Sequence, residues 1–90
     1  MKESYKNGTS WYRVYSDGWI EQGGRATSPT GSGVAYNLLK NFTNTNYCII
    51  GVDVGNTNSN IEVAFGSLTV SSFKIFNNGK HNISWRACGY

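Results

Sequence analysis

Residues 10–24, SWYRVYSDGWIEQGG, set Trp11, Tyr12, Tyr15 and Trp19 around a single Asp17-Gly18 pair. Asp-Gly between two runs of aromatic and β-branched residues predicts a β-hairpin, because a type I′ turn needs positive φ at both central positions. The strands are expected over residues 10–16 and 19–24. A two-residue loop then fixes the register: Ser16 faces Trp19, Tyr15 faces Ile20, Val14 faces Glu21 and Arg13 faces Gln22. Tyr12, Val14, Trp19 and Glu21 fall on one face, and Trp11, Arg13, Tyr15, Ile20 and Gln22 on the other. A sheet packed on one side alternates apolar with polar residues, so rings on both faces predict that the second face also meets a partner.

Working outward, turn signals cut the rest of the chain into short strands. Residues 23–33, GGRATSPTGSG, read as a long exposed polar loop around the one proline, Pro29. Strands are expected over residues 34–40, 47–53, 61–65, 68–76 and 83–90. The turns between them are NTN (44–46), VGNTNSN (54–60), a bend or bulge at Gly66-Ser67, and NNGKHN (77–82), where Asn78-Gly79 supplies positive φ. The best helical window, residues 35–42, lacks a long period and clean caps and reads as a strand. In the last strand Ile83, Trp85, Ala87 and Gly89 line one face, placing Trp85 and Ala87 in the core, while Ser84, Arg86 and Cys88 point away. Seven or so short antiparallel strands cannot bury both faces as one flat sheet, so the fold class is all-β, an antiparallel sandwich of about six to seven strands.

Ninety residues with eleven glycines and a net charge of +3 make one domain with a small core, which oligomerisation would help. The eight basic residues are scattered rather than gathered in a stripe, which argues against a nucleic-acid partner. No apolar run approaches the ~20 residues of a membrane-spanning helix, so membrane insertion is not expected. Cys48 and Cys88, far apart in sequence and among apolar neighbours, read as buried free thiols rather than a disulfide. With His81 the one histidine, no metal site is expected.

Nor does the chain present catalytic machinery. Its five acids are Glu3, Asp17, Glu21, Asp53 and Glu62. Asp17 is explained by its turn, Glu3 by a loose terminus, and Asp53 and Glu62 by flanking a turn. Glu21, mid-strand among rings, reads as an ion-paired interface residue rather than a catalytic acid. No Ser/His/Asp or Cys/His arrangement supplies a nucleophile. No catalytic residue and no cofactor is therefore expected.

Three segments, WYRVYSDGWIEQGG, LLKNFTNTNYCIIG and SSFKIFNNGKHNISWRACGY, together resemble the C-terminal domain of tailed-bacteriophage tail fibres, in order and over nearly the whole chain. The final Trp-x-Ala-x-Gly strand after a polar loop is similar to the H-type lectin fold, an antiparallel sandwich of six or seven strands. Both groups are trimeric, so the resemblance implies a homotrimer at the distal end of a virion tail fibre. It implies as partners the remainder of the fibre and a bacterial surface polysaccharide or outer-membrane receptor. The alternative is a trimerisation and folding cap that binds no receptor; a small hydrolase is the third reading.

On the trimeric reading the two-sided hairpin places Trp11, Arg13, Tyr15, Trp19, Glu21 and Gln22 at the interface. For ligand binding, Asn77, Asn78, Lys80, His81 and Asn82 offer the amides and charged donors that suit sugar hydroxyls. Their loop occupies the place of one that contributes to the H-type lectin sugar site, although the residue types differ. Lys74 and Arg86, on the strands leading from it, would extend the patch toward a neighbouring protomer if both face outward. The chain carries no heptad or collagen-like repeat, so it is expected as a single fibre-tip domain over residues 1–90. Residues 1–9 would be a loosely ordered connection to an absent shaft.

Overall fold

The computed structural model describes residues 2–27, 29–54, 63–78 and 81–90. Among them are eight strands: β1 (Glu3–Asn7), β2 (Ser10–Val14), β3 (Ile20–Ala26), β4 (Val34–Asn37), β5 (Cys48–Val54), β6 (Val63–Gly66), β7 (Ser72–Asn77) and β8 (Asn82–Gly89). They form a five-stranded sheet in the order β1-β2-β3-β8-β5 and a three-stranded sheet in the order β4-β7-β6, antiparallel throughout. The all-β sandwich expected from the turn spacing is therefore what forms. The strand beyond the expected number is β1, exposed at every residue, which pairs with β2 along its length within the stretch expected to be loose.

The opening hairpin forms with a different turn. Gly18 N–H donates to the Tyr15 carbonyl at 2.9 Å, and Tyr15 N–H donates to the Trp19 carbonyl at 2.8 Å. Gly18 alone in the loop has positive φ, at 93°, and Asp17 Oδ1 accepts from Trp19 N–H at 3.0 Å. This is a three-residue loop closed by a glycine bulge, not a two-residue type I′ turn. The expected register is thereby corrected by one residue: Val14 faces Ile20, Arg13 faces Glu21, Tyr12 faces Gln22 and Trp11 faces Gly23. A slip of one residue turns a whole strand over. Ile20 and Gln22 move to the core side with Val14 and Tyr12, while Trp19 and Glu21 join Trp11, Arg13 and Tyr15 on the outside. Burial of the Val14–Ile20 pair decides the register, since the alternative would expose Ile20.

β3 then runs on through Gly23-Gly24 to Ala26, so the connection expected to begin at residue 23 begins at Thr27, and Pro29 is buried. The two glycines are held between two indoles. A Cβ on Gly23 would lie 3.0 Å from the Trp11 ring on the outer side and 2.7 Å from the Trp85 carbonyl oxygen. A Cβ on Gly24 would lie 3.5 Å from the Trp85 ring on the inner side. Glycine here allows close packing rather than a turn.

Val14, Ile20, Ala26, Leu38, Phe42, Tyr47, Phe73, Ile75, Ile83 and Ala87 form the core, with Trp85 half-buried against it and edge-on to Phe73 at 4.7 Å between ring centroids. Residues 35–42 are not helical: β4 stops at Asn37, and the chain wraps one end of the sandwich, burying Leu38 and Phe42. Gln22, fully buried, fastens this segment, its amide donating to the Lys40 carbonyl at 2.7 Å and accepting from Lys40 N–H at 3.1 Å. Tyr47 stacks on Phe42 at 4.2 Å, and its hydroxyl lies 2.8 Å from the Thr69 carbonyl and 3.1 Å from that of Ser72, across the two sheets. The bend expected at Gly66-Ser67 forms, with Ser67 at φ 50°. The cysteines are free but not buried: Cys48 is exposed and Cys88 partly so, because both lie on the outer face of the larger sheet, opposite the core-facing Ala87 and Ile49.

Candidate functional site

The outer face of the five-stranded sheet gathers most of the residues expected to meet a partner. Trp11 lies over Gly23, and the Arg13 guanidinium sits 5.2 Å from the Trp11 ring centroid. Glu21 accepts a hydrogen bond from the Tyr15 hydroxyl at 2.8 Å and forms an ion pair with Arg86 of β8. The Tyr15 bond, joined by the Arg86 charge, holds the Glu21 carboxyl below its ordinary value, and the same bond raises the Tyr15 hydroxyl. Trp19 packs edge-on against Tyr90 at 5.2 Å. A shallow depression of about 540 Å³ is lined by Tyr15, Ser16, Asp17, Trp19 and Glu21, and another of about 340 Å³ lies between β1 and β2 beside Trp11, Arg13, Ser4 and Lys6.

Gln22 does not belong to this face. Expected at the interface, it is instead wholly buried on the core side and committed to Lys40, as the corrected register requires. Sequence reasoning also missed Ile50, Val52 and Val54 of β5, which are 63%, 64% and 42% exposed on the same outer face. The signal was present in CIIGVDV, where apolar residues fall on both sides of a strand, the pattern of a strand covered on both faces.

The loop before β8 is organised differently. Asp53 of β5 and Asn77 of β7 bring the two sheets together at one end of the sandwich. Asn77 is fully buried and donates to Asp53 Oδ2 at 3.1 Å and to the His81 carbonyl at 3.0 Å. His81 Nδ1 lies 3.0 Å from Asp53 Oδ1. An ionised carboxylate can only accept, which assigns the ring proton to Nδ1. Asn78 is exposed and Asn82 half-buried. Lys80, the Asn78-Gly79 turn as a whole, the 54–60 turn and Glu62 fall wholly or partly outside the described residues. Lys74 and Arg86 do not extend one patch: Lys74 projects from the smaller sheet between buried Phe73 and Ile75, Arg86 from the larger sheet beside buried Ala87. Both face outward, on opposite sides of the sandwich. Among the described residues, no three His, Cys, Asp or Glu side chains gather as a metal site.

No protein-family model and no curated protein sequence matches the chain. Two solved structures match it in fold. One is an N-truncated R2-type pyocin tail fibre, with a TM-score of 0.80 and 19% identity over 98% of this chain and 38% of that one. The other is a C-terminal portion of the R2 pyocin fibre of P. aeruginosa, with a TM-score of 0.74 and 19% identity over 98% of this chain and 26% of that one. The chain thus spans well under half of either fibre structure. The resemblance to tail-fibre C-terminal domains read from the sequence is matched at the level of fold.

Proposed function

We propose that the chain is the receptor-binding tip of a phage-type tail fibre, a homotrimer that recognises a bacterial surface glycan or outer-membrane structure. The observation that carries this is an outer sheet face bearing Trp11, Tyr15, Trp19 and the exposed Ile50, Val52 and Val54, on a fold shared with pyocin tail fibres. Among the described residues Ile50 and Val52 are left exposed, and contiguous apolar surface of this kind marks an interaction face. Three copies packed through it would bury the strip and leave the loop ends of each sandwich outward. Three weak sites presented together gain avidity.

The recognition residues of this reading are Asn78, Lys80, His81 and Asn82, with Asn77 and Asp53 as the scaffold that orients His81. Lys74 and Arg86 are left out because they stand on opposite faces. The chain works by binding rather than by catalysis, a role in which Glu21 holds Tyr15 and Arg86 in place across the face. The trimerisation and folding cap is the second reading, favoured by the apolar strip on β5, which self-association alone would explain.

Pull-down on a panel of bacterial strains, each with and without its O-polysaccharide, tests the proposal. The receptor-binding reading expects strain-restricted binding, lost with the polysaccharide or with a particular outer-membrane structure. A trimer that binds no strain leaves the cap alone.

A further inference from the structure

We propose that Cys48 and Cys88 are a redox-active pair that closes into a cross-strand disulfide on the surface of the larger sheet. The register of β5 on β8 sets the two residues directly opposite one another. Both project from the outer face, since their neighbours Ile49 and Ala87 pack into the core. Directly opposed residues of an antiparallel pair have Cα atoms about 4.5 or 5.5 Å apart, and both spacings fall within the roughly 4.4–6.8 Å found across disulfides. The Cβ atoms of such a pair start a little wider than the ~3.8 Å of a closed bridge. β5 can make the small approach because, among the described residues, it is an edge strand hydrogen-bonded within its sheet to β8 alone.

The exposures set the order of events. In a chain not yet packed against its sister copies Cys48 is exposed and Cys88 partly buried, so before assembly an external oxidant meets Cys48 first. The oxidant is a low-molecular-weight disulfide such as oxidised glutathione. The Cys48 thiolate attacks one of its sulfurs, forming a mixed disulfide and expelling one thiolate. The Cys88 thiolate then attacks the Cys48 sulfur and expels the second. One protein S–S bond forms, one external S–S bond breaks, the small disulfide is reduced to two thiols, and those thiols recover the two protons the cysteines gave up. The bridge ties the apolar edge strand to the last strand and closes a long loop of chain, which constrains the unfolded state and raises the melting temperature by roughly 10 °C.

The test is refolding of the reduced native chain with oxidised glutathione present, so that the thiols meet the oxidant before the face is packed, followed by alkylation, peptide mapping without reductant, and thermal melting. The expected result is one Cys48–Cys88 peptide, intact protein lighter by two hydrogen atoms, a higher melting temperature, and reversal of all three by a phosphine reductant. Cys48→Ser and Cys88→Ser should each retain the melting temperature of the reduced protein and gain nothing from oxidant. Thiols that stay open to alkylation, a glutathione adduct that persists on Cys48, or bridges formed only between chains would overturn the proposal. A closed bridge that leaves the melting temperature unmoved would overturn the stapling role.

Discussion

At the scale of single residues, the decisive positions are those where a side chain, or its absence, has no substitute. Gln22 is the clearest: its amide answers both the N–H and the carbonyl of Lys40 from a fully buried position. Gln22→Ala leaves those two groups without their partner and is expected to destabilise the fold by about 2–4 kcal/mol, measured by urea unfolding. A change within about 0.5 kcal/mol would show that water replaces the amide at no cost. Trp85→Ala removes an indole that packs on Phe73 and over Gly24, and should cost about 3–5 kcal/mol, enough to unfold a domain of this size near physiological temperature. An unchanged melting temperature would contradict the core role of Trp85. The two differ in how they could be read from sequence. Trp85 sits in an alternating strand that announces its inward face, whereas Gln22 is a polar residue whose burial depends on a loop 18 residues away in sequence.

At the scale of elements, the hairpin shows where local signals stop. Asp-Gly located the turn correctly, yet the same dipeptide serves a two-residue and a three-residue loop, and the choice between them inverts β3. What selects the longer loop is tertiary: Val14 and Ile20 must share the core face. Asking for that pairing at the outset would have moved Gln22 inward and Glu21 outward. Gly23-Gly24 misled for the same reason, reading as the start of a loop when two tryptophans need their bare backbones inside a strand.

The Glu21 cluster belongs to this scale because it links β2, β3 and β8. The Glu21 carboxyl is held below its ordinary value of 4.5 by the Tyr15 hydrogen bond first and the Arg86 charge second. A depressed folded-state value contributes stability that is present above the unfolded value and is lost as pH falls through the folded one. The native chain should therefore lose stability as pH drops below about 4.5, and Glu21→Gln should flatten that limb while lowering stability at neutral pH. Melting temperatures across the acid range check this; an acid limb identical in the two proteins would show that Glu21 contributes no pH-dependent stability.

At the scale of the whole molecule, the layered architecture was legible because turn residues recur at short intervals and the strands between them alternate. The outer face of the larger sheet was legible only in part. Trp11, Arg13 and Tyr15 share one face as expected, but Trp19 and Glu21 join them only through the corrected register, and β5 contributes its apolar strip through β8, a neighbour distant in sequence. The loop before β8 could be located but not its internal order, since the Asp53–Asn77–His81 arrangement joins three separate segments.

The claim from which the rest follows is that this outer face meets sister copies of the chain. Ile50 and Val52 are exposed within the single chain, so Ile50→Asp with Val52→Asp should leave the fold intact, as judged by circular dichroism, while breaking the assembly. The most direct measurement is the solution mass by multi-angle light scattering at micromolar concentration. Three chain masses are expected for the native protein and one for the double variant. A single chain mass for the native protein, or a trimer unmoved by the double substitution, would contradict it.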